Sequence, residues 1–290
     1  MIIPRLTQRA LPLLLVAASF GMSGCRQEAS ANSEPSTASG IVTSDTMEAP
    51  RPDAPRAHTI PPGAQALIEA YPDAVKGYDN NRVILTDGSS IIYDDGRDKD
   101  YATMLDNSDI EDMFFTPYID NGKDPAYLSD AGRSRCDTLF KKMYGSSAAE
   151  VQKRLVTVDW VGGQKVKFTS VNGAADSLRA VALEIARHPE LQKYLKSSGT
   201  FYWRTVRGAK RMSAHSYGIA FDIGVPHSDY WLWKNPGAGE TDKIPYANRF
   251  PHKIAEIFRR HGFIWGGAWY HYDTMHFEFR PEILRYADIQ

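Results

Sequence analysis

Cysteine is nearly absent, with two in 290 residues, at positions 25 and 136. That excludes a disulfide scaffold, which needs several paired thiols. Net charge is equally scarce: 34 Lys and Arg stand against 35 Asp and Glu, a formal −1. This balance offers no basic footprint for phosphates, so no nucleic-acid partner is expected. There is no internal repeat, and no run beyond the N-terminal 24 residues approaches the ~20 apolar residues a membrane helix needs. Apolar residues as a class are not lacking. At 42% apolar and 11% aromatic, the chain has too many core formers to be disordered throughout. Its length allows one large domain or two modest ones.

Residues 1–24 contain no acidic side chain, and Arg5 and Arg9 precede an apolar stretch at 10–20 that only Pro12 and Ser19 interrupt. The stretch is too short to remain as a spanning helix and reads as a secretory signal. It ends Met22-Ser23-Gly24-Cys25, which resembles the bacterial lipobox. The resemblance implies a lipid on Cys25 and a membrane partner reached through that lipid. The protein would then lie in the cell envelope, facing the periplasm. Arg26, rather than Asp, follows the cysteine and slightly favours the outer membrane. Cys136 is then left without a partner and is expected to be a buried structural thiol in a helix. Residues 25–60, rich in Ser, Ala, Pro and Thr, read as a disordered tether reaching on the order of 100 Å. An anchor with a long leash suits a globular head that works near the membrane, for instance on the cell wall.

The folded part divides into an N-terminal extension, 61–135, packed on a main domain, 136–290. Asp87-Gly88 between two β-type runs predicts a type I′ hairpin. Gly162-Gly163 between LVTVDWV and QKVKFTSV predicts a second hairpin. Ser147 to Glu150 is a capping box opening a short helix. Apolar spacing predicts helices over 174–195 and 249–261, the second stopped by Gly262. IAFDIGV and MHFEFR read as strands, and 96–135 as loops with short helices. Hairpins with non-alternating helices predict an α+β fold with an antiparallel sheet and flanking helices.

The informative chemistry lies in 199–282. Two histidines and a carboxylate, His215, Asp222 and His276, make a three-ligand zinc set that leaves a fourth position for water. Asp222 sits in an apolar strand, where an unpaired carboxylate is costly unless a metal or a cation such as Arg204 or Arg211 neutralises it. Strand alternation puts His276 and Glu278 on one face. Asp273, three residues before His276, is placed to serve as a general base toward water.

The sequence S-x-H-x-x-G-x-A-x-D (213–222), followed by W-G-G-x-W (265–269) and D-x-x-H-F-E (273–278), resembles the zinc peptidases that include D-alanyl-D-alanine carboxypeptidases, D-alanyl-D-alanine dipeptidases and L-alanyl-D-glutamate endopeptidases. The resemblance is tight over 199–282 and loose over 136–290, and it implies the hedgehog/DD-peptidase fold. It further implies one Zn2+ on His215, Asp222 and His276, catalysis by Asp273, and Arg204 steadying the substrate carbonyl oxygen, with Arg207 and Arg211 as rivals. Ser213, Trp265 and Trp269 are the expected substrate-binding residues, each with packing as its alternative. Peptidoglycan stem peptides are the implied partners, met by a monomer. Asp at 273, where carboxypeptidases typically carry Glu, looks more like the endopeptidase branch. The alternatives are a D-alanyl-D-alanine carboxypeptidase, a zinc hydrolase of some other peptide and a non-catalytic wall-binding module. His271 is a minor candidate for a replacement ligand. The aromatics Tyr230, Trp231 and Trp233, in an insert between the ligand motifs, either line a groove or pack the insert down.

Overall fold

The computed structural model describes residues 59–290. The signal segment, Cys25 and nearly all of the tether lie outside the described residues. Among the described residues no helix is long and apolar enough to cross a membrane.

Helix α1 (Pro62–Ala70) opens on a proline, tolerated there because the first N–H groups of a helix lack partners anyway. Strands β1 (Val75–Asp79), β2 (Arg82–Leu85) and β3 (Ser90–Ile92) form an antiparallel sheet in that order. The β2–β3 hairpin is present, but its turn is not type I′. Leu85 N–H donates to the Ser89 carbonyl at 2.8 Å, so the loop is three residues long, 86–88, and within it only Gly88 has positive φ, at 83°. Type I′ needs two such residues. The Asp87 carboxylate instead accepts from Ser89 N–H at 2.8 Å, a local bond that favours the wider loop.

After α2 (Tyr101–Asp106) come α3 (Asp137–Tyr144) and α4 (Ala148–Gln152). Ser147 caps α4 by accepting from Glu150 N–H at 3.3 Å, while the Glu150 carboxylate reaches Ser146 N–H at 2.8 Å, one residue outside the expected box. Strands β4 (Leu155–Trp160) and β5 (Gln164–Thr169) form the second hairpin. Helix α5 (Ala174–Ile185) buries Leu178, Val181 and Ile185 but stops well short of Leu195. Pro189 is the reason, since it lacks an N–H and disfavours helical backbone at His188.

A four-stranded antiparallel sheet carries the rest. Its strands are β6 (Ser197–Gly199), β7 (Ala220–Ile223), β8 (Phe263–Trp265) and β9 (His276–Phe279), in the order β6-β7-β9-β8. The short α6 (Trp231–Lys234) and α7 (His252–Arg260) lie between β7 and β8 in the chain. Helix α7 starts after Pro251 rather than at Arg249, and α8 (Pro281–Ile289) ends the chain. Phe221 and Phe277 are cross-strand neighbours, and Phe258 of α7 stacks on Phe277 with centroids 4.0 Å apart. Removing a ring so placed costs about 3–5 kcal/mol.

The fold is thus α+β with small antiparallel sheets. Residues of the extension such as Leu67 and Ile110 belong to the same apolar core as Phe277 and Ile283. The Tyr71 hydroxyl, at the end of α1, donates to Glu282 of α8.

Candidate metal and active site

Strand register assembles half of the site. Asp222 of β7 lies directly opposite His276 of β9, and Ala220 opposite Glu278. Opposed residues share a face, so Asp222, His276 and Glu278 gather on the side away from Phe221 and Phe277. His215 comes from the 3-10 turn Ala214–Tyr217, closed by Gly218. One ligand-type atom from each of His215, Asp222 and His276 lies within 4.8 Å of the others. His215 Nε2 is 3.2 Å from Asp222 Oδ2, and His276 Nδ1 is 2.8 Å from Asp222 Oδ1.

The tautomers follow from the outer partners. The Thr200 carbonyl can only accept, so His215 Nδ1, 2.9 Å away, carries the hydrogen and Nε2 faces the cluster. Glu278 Oε1 takes His276 Nε2 at 2.9 Å and turns Nδ1 inward. Burial opposes charge on Asp222, but His215 and His276 outweigh it and hold the carboxyl well below its usual range. Burial likewise opposes charge on His276, but the hydrogen bonds and charges of Asp222 and Glu278 outweigh it and raise its pKa to about 10, so a metal on Nδ1 would have to displace a proton held there by Asp222. Two imidazole nitrogens and a carboxylate, all facing inward and backed by second partners, suit a zinc ion. Asp222 is paired with these histidines and with neither Arg204 nor Arg211.

Asp273 is held beside the cluster by backbone. Its N–H donates to the Gly266 carbonyl at 2.9 Å, and Tyr230 bridges to it from the insert. A Cβ on residue 266 would lie 2.5 Å from the Asp273 carbonyl oxygen, so the W-G-G motif needs glycine there for the two loops to meet. Asp273 Oδ1 is buried with no hydrogen-bond partner. Burial, reinforced by Asp222 and opposed by the two histidines, pushes its carboxyl up to about 7. A carboxyl poised near neutrality is suited to taking and returning a proton.

These groups open into a cavity of about 510 Å³ that also has five arginines in its wall. Arg133 pairs with Glu240 at 2.8 Å, Arg211 with Asp106 at 2.7 Å and Glu240 at 3.1 Å, and Arg135 with Glu278 at 3.1 Å. Arg204 and Arg207 have no carboxylate partner among the described residues. Arg204 is exposed and donates to the Thr205 carbonyl at 3.2 Å. Ser213 also lines the cavity, its N–H donating to the Arg204 carbonyl at 3.0 Å.

The tryptophans divide. Trp269 is in the cavity wall, its ring 5.7 Å from that of His276. Trp265, expected at the substrate, is a core residue instead. Its indole N–H donates to the Thr274 carbonyl at 2.8 Å, its ring packs on Phe277, and it is outside the cavity wall. In the insert, Trp231 and Trp233 both line the cavity, Trp231 buried against His271 and Trp233 55% exposed. His271 lies outside the ligand cluster, its Nδ1 2.6 Å from Asp130. Cys136 is buried and free, and burial pushes its thiol up to about 11. Arg133 and Arg135 are wall residues that sequence patterns did not reveal. Their only local signal is two arginines, one residue apart, just before a buried helix.

A family model described as D-alanyl-D-alanine carboxypeptidase matches residues 207–279. The matched stretch holds His215, Asp222, Asp273 and His276, and supports a peptidase. Arg204 and everything before it fall outside the match. No curated protein is similar enough to the chain to count as a match.

Proposed function

We propose that this protein is a zinc-dependent peptidase with a hedgehog/DD-peptidase-like fold. It is held to the envelope by a lipid on Cys25 and hydrolyses peptidoglycan stem peptides. The carrying observation is the inward-facing His215–Asp222–His276 cluster with Asp273 beside it, whose Oδ1 is buried without a hydrogen-bond partner. His215, Asp222 and His276 would hold the metal. When bound, zinc would polarise the scissile carbonyl and lower the pKa of water toward 7. Asp273 takes the proton from the attacking water and passes it to the departing nitrogen. Arg204 faces the carbonyl oxygen as that atom gains charge, a large term when the cation is already fixed in place.

The bond between L-Ala and D-Glu is the favoured target, and the bond before a terminal D-Ala is the alternative. Both present a free α-carboxylate on the residue whose nitrogen leaves. Arg207, the second wall arginine without a carboxylate partner, suits that group.

The test incubates the zinc-loaded full chain, and its Asp273→Ala variant, with defined stem peptides and identifies products by mass spectrometry. Separation of L-Ala from D-Glu by the unsubstituted protein alone supports the endopeptidase. Loss of terminal D-Ala makes it a carboxypeptidase and removes Asp273 as a marker of the endopeptidase branch. Zinc bound with every peptide intact leaves a wall-binding module.

A further inference from the structure

Glu278 is buried behind His276, and accepting its Nε2–H at 2.9 Å is what turns Nδ1 toward Asp222. Glu278 is in turn held by two guanidiniums. Arg135 Nη1 donates to Oε1 at 3.1 Å and Arg280 Nη1 to Oε2 at 3.2 Å. The same two Nη1 groups donate to the Gly132 carbonyl, at 3.1 and 2.8 Å. Gly132 has φ 94°, and a Cβ there would lie 2.4 Å from Ile264 Cδ1, so this turn requires glycine.

The two arginines differ in reach. The remaining side-chain bond of Arg280 goes to Glu282, on its own stretch of chain. Arg135 Nη2 donates to the Met212 carbonyl at 3.3 Å, three residues before His215. One guanidinium therefore touches both the carboxylate behind one ligand and the backbone leading to the other. It is 5% exposed, so water does not replace these bonds. It also lies in the segment before the part of the chain that matches the peptidase family.

We propose that Arg135 is a positioning residue for the metal centre: by bridging Glu278 and the Met212 carbonyl, it holds His276 and His215 in their ligating geometry. This rests on reading the cluster as a metal site. Loss of a group that hydrogen-bonds a ligand directly, as Glu278 does His276, typically changes metal affinity about 10–100-fold, and Arg135 holds that group in place.

The test titrates zinc into the metal-free full-length chain in detergent against a chromogenic chelator, with folding checked by circular dichroism. Arg135→Gln should weaken zinc binding about tenfold or more, and Arg135→Lys, which keeps the charge but not the fork, by a smaller factor. A folded variant whose zinc affinity stays within about threefold of the parent overturns the proposal. Should neither variant fold, nitrogen-15 spectra of the zinc-loaded parent decide. Ligation of His276 through Nδ1 with a hydrogen on Nε2 supports it, and ligation through Nε2 overturns it. A parent chain that binds no zinc overturns the metal reading itself, and this inference with it.

Discussion

Side chains able to ligate a metal gather in two places among the described residues. One is the set of His215, Asp222 and His276. The other is an acidic patch in the extension, around Asp109 and Asp112. At the acidic patch the neutralising cation is part of the chain. Lys99 Nζ lies 2.6 Å from Asp112, 3.0 Å from Asp109 and 3.2 Å from Asp95, with its side chain 6% exposed. The histidine set has no lysine or arginine paired to Asp222, and its ring nitrogens are aimed by carbonyl and carboxylate partners behind them. Donor proximity alone does not make a metal site. What separates the two is whether the sequence supplies its own counter-charge and whether the donors are oriented from outside.

The sharpest way to break this comparison is at Asp273, the proposed general base. Asp273→Asn should lower stem-peptide hydrolysis about a thousandfold, the scale of general acid–base catalysis, and leave zinc affinity nearly unchanged. A base must be ionised, so activity of the parent should rise with pH as Asp273 loses its proton. Burial places that proton at about 7, and a bound dication would lower it, so the rising limb should lie at or below pH 7. A pH–rate profile checks this, and the same limb surviving in Asp273→Asn would remove the residue from the role.

Metal addition should act next most strongly. Zinc at ~1,000 times its dissociation constant should stabilise the fold by about 4 kcal/mol, reversibly on chelation, and His276→Ala should abolish the gain. Calcium should leave the melting curve unchanged, because Lys99 already occupies the acidic patch. A calcium shift comparable to that of zinc would erase the distinction between the two clusters.

Lys99→Met sharpens the comparison from the other side. It leaves three carboxylates around an apolar side chain and should cost about 3 kcal/mol in urea unfolding, as when one partner of a buried ion pair is removed. A loss near zero would mean the patch needs no cation. The smallest effect is expected at the cavity rim. Trp233→Ala should raise KM about fivefold, on the scale of one aromatic contact, with kcat and stability hardly moved because the ring is largely exposed. A kcat loss with KM unchanged would place Trp233 in the chemistry instead.

Local signals were readable wherever the deciding interaction was local. The two hairpins, the Ser147 cap and the strand containing Asp222 follow from spacing and from turn or cap residues. Errors arose where a neighbouring residue changed the outcome. Pro189 ended α5 early, Pro251 delayed α7, and the Asp87 side chain widened a turn. Trp265 carried a motif position yet became core, because strand pairing sets it opposite Phe277 of β9 and Phe250 packs beside it.

The sequence by itself determined which residue types meet at the candidate site: two histidines, two aspartates and the glycines that let their loops approach. Only the tertiary structure decided how those donors are aimed and which cations remain free. Arg135 and Glu278 are 143 residues apart, and Arg133 meets Glu240 across 107. Contacts at such separation leave no periodic trace in the chain. They are selected when the core closes, because burying each of these charges is tolerable only beside the partner that the fold supplies.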